Sequence, residues 1–187
     1  MKASDLKLED IHKAKTHVAY EWHQFEYCKQ RLDTMKDPHN PTSLKQDITK
    51  EEHALVLSAY ALHARSLISF FTDGGSQREK RTDNHDVLAI DYFASANMWV
   101  FPNPVLGEKW LDEQKNRMHR LAAHITYYRN DPDYSVVWEI DELFAYLANV
   151  WEEFKLKASP DRWVADARDE AKVSISPRLS ILTTSLN

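Results

Sequence analysis

Arg117, Arg120 and His124 lie close together in the segment KWLDEQKNRMHRLAAHITYYR, and they offer what cleavage of a ribose phosphodiester requires. A guanidinium stays charged and can grip a phosphate through two parallel hydrogen bonds, while an imidazole exchanges a proton near neutral pH. Seven residues make nearly two helical turns, so Arg117 and His124 would share a face about 10.5 Å apart along the axis. Arg120 falls one turn before His124 on the same stripe. Trp110, Leu121, Ile125 and Tyr128 form an apolar stripe beside it, which places the basic row at a core boundary that another helix or a second protomer could cover. His119 faces the other way. The plainer reading is that Arg117 and Arg120 lay their stems over apolar surface and His124 packs against a neighbour.

Such a row needs helices to hold it, and the sequence is patterned for helices. Only Gly74, Gly75 and Gly107 occur as glycines in 187 residues, too few for sheet-rich folds or phosphate-cradling loops, whose tight turns need positive φ. A length of 187 residues with 43% hydrophobic and 28% charged side chains suits one well-buried core. Apolar spacing predicts a first helix over about 5–34, stopped by Asp37-Pro38 and Asn40-Pro41. The second opens on a capping box, Thr49 with Glu52, and runs to Asp73-Gly74-Gly75. It is apolar nearly all round, so it is expected at the centre of the bundle. Residues 74–86 read as a polar loop, and a third helix is expected over 86–99. Asn103-Pro104 should cap and start a fourth, running to about 128. A fifth is expected over about 134–157, and Ser159-Pro160 starts a last short one. Residues 173–187 read as an extended tail. The expected fold class is all-α: an up-and-down bundle of four to five antiparallel helices with an additional N-terminal helix, forming a single domain over 1–187.

Three segments in order, HARSLISFF, DVLAIDYF and RMHRLAAHITYYR, are similar to a group of uncharacterised bacterial HEPN-like proteins, and Arg117 to His124 resembles the R-x(4–6)-H motif of that family. The similarity covers about 50–153. It implies a metal-independent endoribonuclease in which His124 acts as general base or acid at the ribose 2′-hydroxyl and the leaving oxygen, and Arg117 stabilises charge on the phosphate. It also implies a homodimer, since such sites form where the motifs of two protomers meet; helix four should then lie at or near the interface. Met118 stands where active members often carry a polar residue. That departure, with a net charge of −5, suits the alternative of a non-catalytic HEPN-like module that binds RNA, a nucleotide or a partner protein through Arg120, Arg65 and Tyr128.

Other features mark smaller expectations. Arg65 is a charge in an otherwise apolar helix, so Asp86 or Asp91 is expected to pair with it, unless it stands beside the Arg117–His124 row. Arg78, Lys80 and Arg81 are diluted by acidic neighbours and read as a solvated loop. Nine histidines suggest a metal-dependent bundle enzyme as a third function, but a di-iron bundle needs paired Glu-x-x-His elements and only Glu9–His12 supplies one. No metal or cofactor is therefore expected; were one present, His12, His23, His53 or His63 would be its ligands. Cys28 has no disulfide partner, which fits a reducing, cytoplasmic setting. No signal peptide is read at the N-terminus, and no apolar run is judged to approach the roughly 20 residues of a membrane span.

Overall fold

The computed structural model describes residues 7–72, 87–95, 98–118 and 139–163. They are mostly helical, with four α-helices, one 3-10 turn and no β-strand among them. Helix α1, Leu8–Met35, buries Ile11, Val18, Trp22, Phe25 and Cys28 of the apolar spacing that predicted it, and Leu32 and Met35 beyond them, whereas Leu8 at its start is exposed. Past Lys36 the proline-rich loop doubles back. The Asp37 N–H donates to the Ser43 carbonyl at 2.9 Å and the Lys45 N–H to the Met35 carbonyl at 2.9 Å.

Helix α2, Lys50–Thr72, opens on the expected capping box. The Thr49 N–H donates to Glu52 Oε2 at 2.9 Å, and the Glu52 N–H donates to Thr49 Oγ1 at 3.1 Å. These bonds satisfy amides that a helix start otherwise leaves without partners. Thr49→Ala should therefore cost about 1 kcal/mol, read as a lower urea midpoint at unchanged m-value. Glu21 meets His63 at 2.8 Å and Phe25 stacks on Tyr60 with centroids 4.7 Å apart, so α1 and α2 run in opposite directions.

The expectation that α2 lies at the centre needs correction. It buries Tyr60, Ala61, Ala64, Leu67, Ile68, Phe70 and Phe71, but Leu55 is 72% and Leu62 53% exposed on the opposite side. The reading that no apolar run approaches membrane-spanning length is corrected as well, because α2 is long and apolar enough to cross a membrane by length and composition. In this fold its other face serves the core.

The third predicted helix is also revised. Among the described residues of that segment the only helical element longer than one residue is a 3-10 turn, Ala89–Tyr92, with Leu88 and Phe93 extended on either side. Its backbone is used by distant partners: the Tyr92 carbonyl accepts the Ser159 N–H at 2.9 Å and the Asp91 carbonyl accepts an Arg162 guanidinium N–H at 2.9 Å. The turn therefore sits as a plug in the core, with Leu88 to Phe93 all buried.

Helix α3 is Glu108–Arg117, beginning later than Asn103-Pro104 suggested. The Gly107 N–H turns back to the Pro104 carbonyl at 2.9 Å, and Gly107 holds φ 87°, a conformation that a side chain would strain. Helix α4, Ile140–Lys157, packs on α1 through Trp22–Trp151, whose rings stack 5.1 Å apart. Asp141 ties the same two helices at the surface, meeting Lys29 at 2.9 Å and Lys36 at 3.5 Å. After α4, the Arg162 and Trp163 N–H groups both donate to the Ser159 carbonyl at 2.9 Å, closing one turn where Ser159-Pro160 predicted a short helix. The 74–86 loop, the start of the predicted fifth helix and the 173–187 tail lie outside the described residues.

Candidate functional site

Arg117 closes α3 and is half-buried. Met118, directly after it, is wholly buried in the core. The inner stripe of α3 is Trp110, Leu111, Gln114 and Met118, and Arg117 lies beside it. Arg120, His124 and Tyr128 lie outside the described residues, as do His119, Leu121 and Ile125. The predicted basic row is thus described at Arg117 alone.

Gln114 carries a function in the fold that the sequence did not announce. It is 1% exposed and its Nε2 donates to Glu139 Oε2 at 2.6 Å, the same oxygen that accepts the Trp110 indole N–H. One carboxylate thereby ties the inner face of α3 to the start of α4.

Arg65 stands apart from that assembly. It lines a cleft of about 420 Å³ on the outward side of α2, with Leu62, Ser66, Ser69, Val87 and Leu88 among the walls. The expected ion pair with Asp91 is not formed. Asp91 turns one carboxylate oxygen, Oδ2, to the Leu88 N–H at 3.0 Å, and Asp86 lies outside the described residues. Among the described residues Arg65 has neither an ion-pair nor a hydrogen-bond partner. Arg65 is half-buried as a residue, and two serines, Ser66 and Ser69, line the same cleft. Leu62, Arg65 or Ser66, and Ser69 recur at one-turn spacing, so the sequence did hold a signal for this polar stripe. Val87 and Leu88 come from a distant segment, and nothing local marks them as walls. Arg117 is not among the lining residues.

A smaller chamber of about 140 Å³ adjoins the cleft and shares Ser66, Phe70 and Val87 with it. Val18 and Leu67 complete its apolar side, and His17 and Glu21 stand at its edge. Glu21 is held by His63 Nδ1, and Tyr20 meets the His63 ring edge-on, with centroids 6.3 Å apart.

The other histidines proposed as ligands are dispersed. His12 Nε2 bonds the Asp161 carbonyl at 2.7 Å, His23 Nδ1 lies 3.5 Å from Glu26, and His53 belongs to the first turn of α2. Among the described residues no three His, Cys, Asp or Glu side chains gather into a group able to hold a metal ion.

The described residues thus define an all-α protein with a half-buried arginine lining a cleft between α2 and the Val87–Leu88 segment. No family model matches the sequence, and no curated protein or solved structure is significantly similar to it.

Proposed function

We propose that this chain is a non-catalytic HEPN-like module, an up-and-down bundle of four to five antiparallel helices with an additional N-terminal helix, that binds a phosphate-bearing ligand of the RNA or nucleotide class. The observation that carries the reading is Arg65: a half-buried arginine lining a cleft with Ser66 and Ser69, with no ion-pair partner among the described residues. Removing a cation from water is costly unless it is paired. A phosphate would supply the charge and accept the planar fork of donors. Met118 supports binding over cleavage, because its side chain is committed to the core at the position after Arg117. A cytoplasmic setting accords with the free, buried Cys28.

The endoribonuclease reading keeps one favourable observation: Arg117 is half-buried on α3, seven residues before His124 in sequence. A homodimer with a composite site belongs to that reading. A single assay separates the two. Fluorescently labelled RNA and a labelled nucleotide are titrated with wild type, Arg65→Ala and His124→Ala in the presence of EDTA. Binding should weaken roughly 10- to 100-fold in Arg65→Ala, the loss expected for hydrogen bonds to a charged group, with RNA left intact. Equal affinity of Arg65→Ala and wild type would remove the Arg65 cleft from the function. RNA cut to a 2′,3′-cyclic phosphate by wild type but not by His124→Ala would make the chain a nuclease.

A further inference from the structure

We infer that the outward face of α2 packs antiparallel against the same face of a second copy, about a two-fold axis at Ser58, so that Glu51 of each copy meets Arg65 of the other. Ala54, Leu55, Ser58 and Leu62 are exposed along one side of the helix, Leu55 at 72% and Leu62 at 53%. Glu51, Leu55, Ser58, Leu62 and Arg65 follow one another at alternating steps of four and three residues, which keeps them in a single stripe. The two ends of that stripe carry opposite charge. Among the described residues neither Glu51 nor Arg65 has an ion-pair partner.

The occupant and its direction follow from this charge pattern. Glu51 and Arg65 each stand seven residues from Ser58, about 10.5 Å along the axis on either side. A two-fold axis at Ser58 reverses the second helix and brings Glu51 opposite Arg65 at both ends of the seam. A parallel pair would set Glu51 against Glu51 and Arg65 against Arg65. The same register places large side chains against small ones: Leu62 lies level with Ala54 of the second copy and beside its Ser58, the space that a packed side chain needs. The stripe between the charges is about 21 Å long, a small seam, so the dimer is a weak and reversible one. It also gives the Arg65 cleft a regulator, because a phosphate and Glu51 of the second copy compete for one guanidinium. Only that competition rests on the phosphate-binding reading above.

Sedimentation equilibrium of the full chain from about 1 μM to about 1 mM, the range of weak complexes, tests this. Wild type should pass from monomer to dimer. Glu51→Arg and Arg65→Glu should each weaken dimerisation roughly 10- to 100-fold, since each reversal sets like charges together at both ends of the seam. The double variant exchanges the two partners and should restore the wild-type constant, which a misfolded chain could not do. Leu55→Glu, at an exposed position outside the Arg65 cleft, should give a folded monomer. A wild type that stays monomeric overturns the inference, also where that monomer binds lipid vesicles. A dimer indifferent to both single reversals, or one that the double variant fails to restore, overturns it as well. Labelled nucleotide should dissociate the wild-type dimer, and binding to a dimer that stays intact overturns the competition. No nucleotide binding to wild type or to the Leu55→Glu monomer removes the phosphate reading and leaves the dimer standing.

Discussion

Phe154→Ala should destabilise the chain by about 3–5 kcal/mol, the range for truncating a fully buried phenylalanine. Phe154 is 0% exposed and meets rings from α2, the 3-10 segment, its own helix and the turn beyond it. Phe70 of α2 lies 5.3 Å away, Tyr92 of the 3-10 turn 5.7 Å, Trp163 beyond α4 5.1 Å and Trp151 5.9 Å, centroid to centroid. Rigid rings held by separate elements cannot close over a lost side chain, so most of the cavity would remain. A domain whose total stability is about 5–15 kcal/mol could lose much of it in this one change. Guanidinium unfolding followed by tryptophan fluorescence is the measurement. Leu156→Ala, two residues on and 85% exposed, should shift stability by no more than about 0.5 kcal/mol. Similar losses in the two variants would mean that α4 does not present Phe154 to the core.

Glu139→Ala should cost about 2–4 kcal/mol through a different mechanism. Its Oε2 accepts from both the Trp110 indole and the Gln114 amide, residues that are 9% and 1% exposed. Without the carboxylate two buried donors lose their acceptor, each at about 1–3 kcal/mol, and water can relieve part of the loss. Glu139→Gln keeps one acceptor oxygen and should cost less. The loss should be local first, so amide exchange in Glu108–Arg117 should accelerate more than exchange in α1. Unchanged exchange in α3 with both variants would show that the carboxylate does not anchor it.

These two residues differ in how far the sequence announced them. Phe154 follows from helical periodicity, as do Trp22, Phe25 and Leu147, because one apolar face repeats every three or four positions. Helix ends set by local chemistry were legible too: the Thr49–Glu52 box and the Asp37-Pro38 stop need no information from elsewhere in the chain. Expectations failed where distant residues decide. The 86–99 segment has helical spacing, yet its carbonyls are claimed by Ser159 and Arg162. Asn103-Pro104 carries a start signal, but the one residue able to adopt φ 87° sits at 107 and sets the entry angle of α3. Apolar content placed α2 at the centre, although composition cannot say which face lacks a neighbour, and Leu55 and Leu62 remain open. For the candidate site, a charge inside an apolar helix did single out Arg65. Its expected pairing with Asp91 is not formed, one oxygen of that carboxylate accepting the Leu88 N–H, and walls such as Val87 are brought to it only by the fold.

Cys28 is 5% exposed, and burial pushes its thiol pKa up from the ordinary value. The thiolate is the species that alkylating reagents attack, so the closed protein should be nearly inert to them. No other cysteine occurs in the 187 residues. Every labelled molecule therefore records one event at one place, the separation of α1 from the helices packed on it. The labelling rate divided by that of a free thiol gives the fraction of time this seam stands open. The chain thus carries its own single-site clock for breathing, readable by the mass an alkylating reagent adds, with no substitution needed.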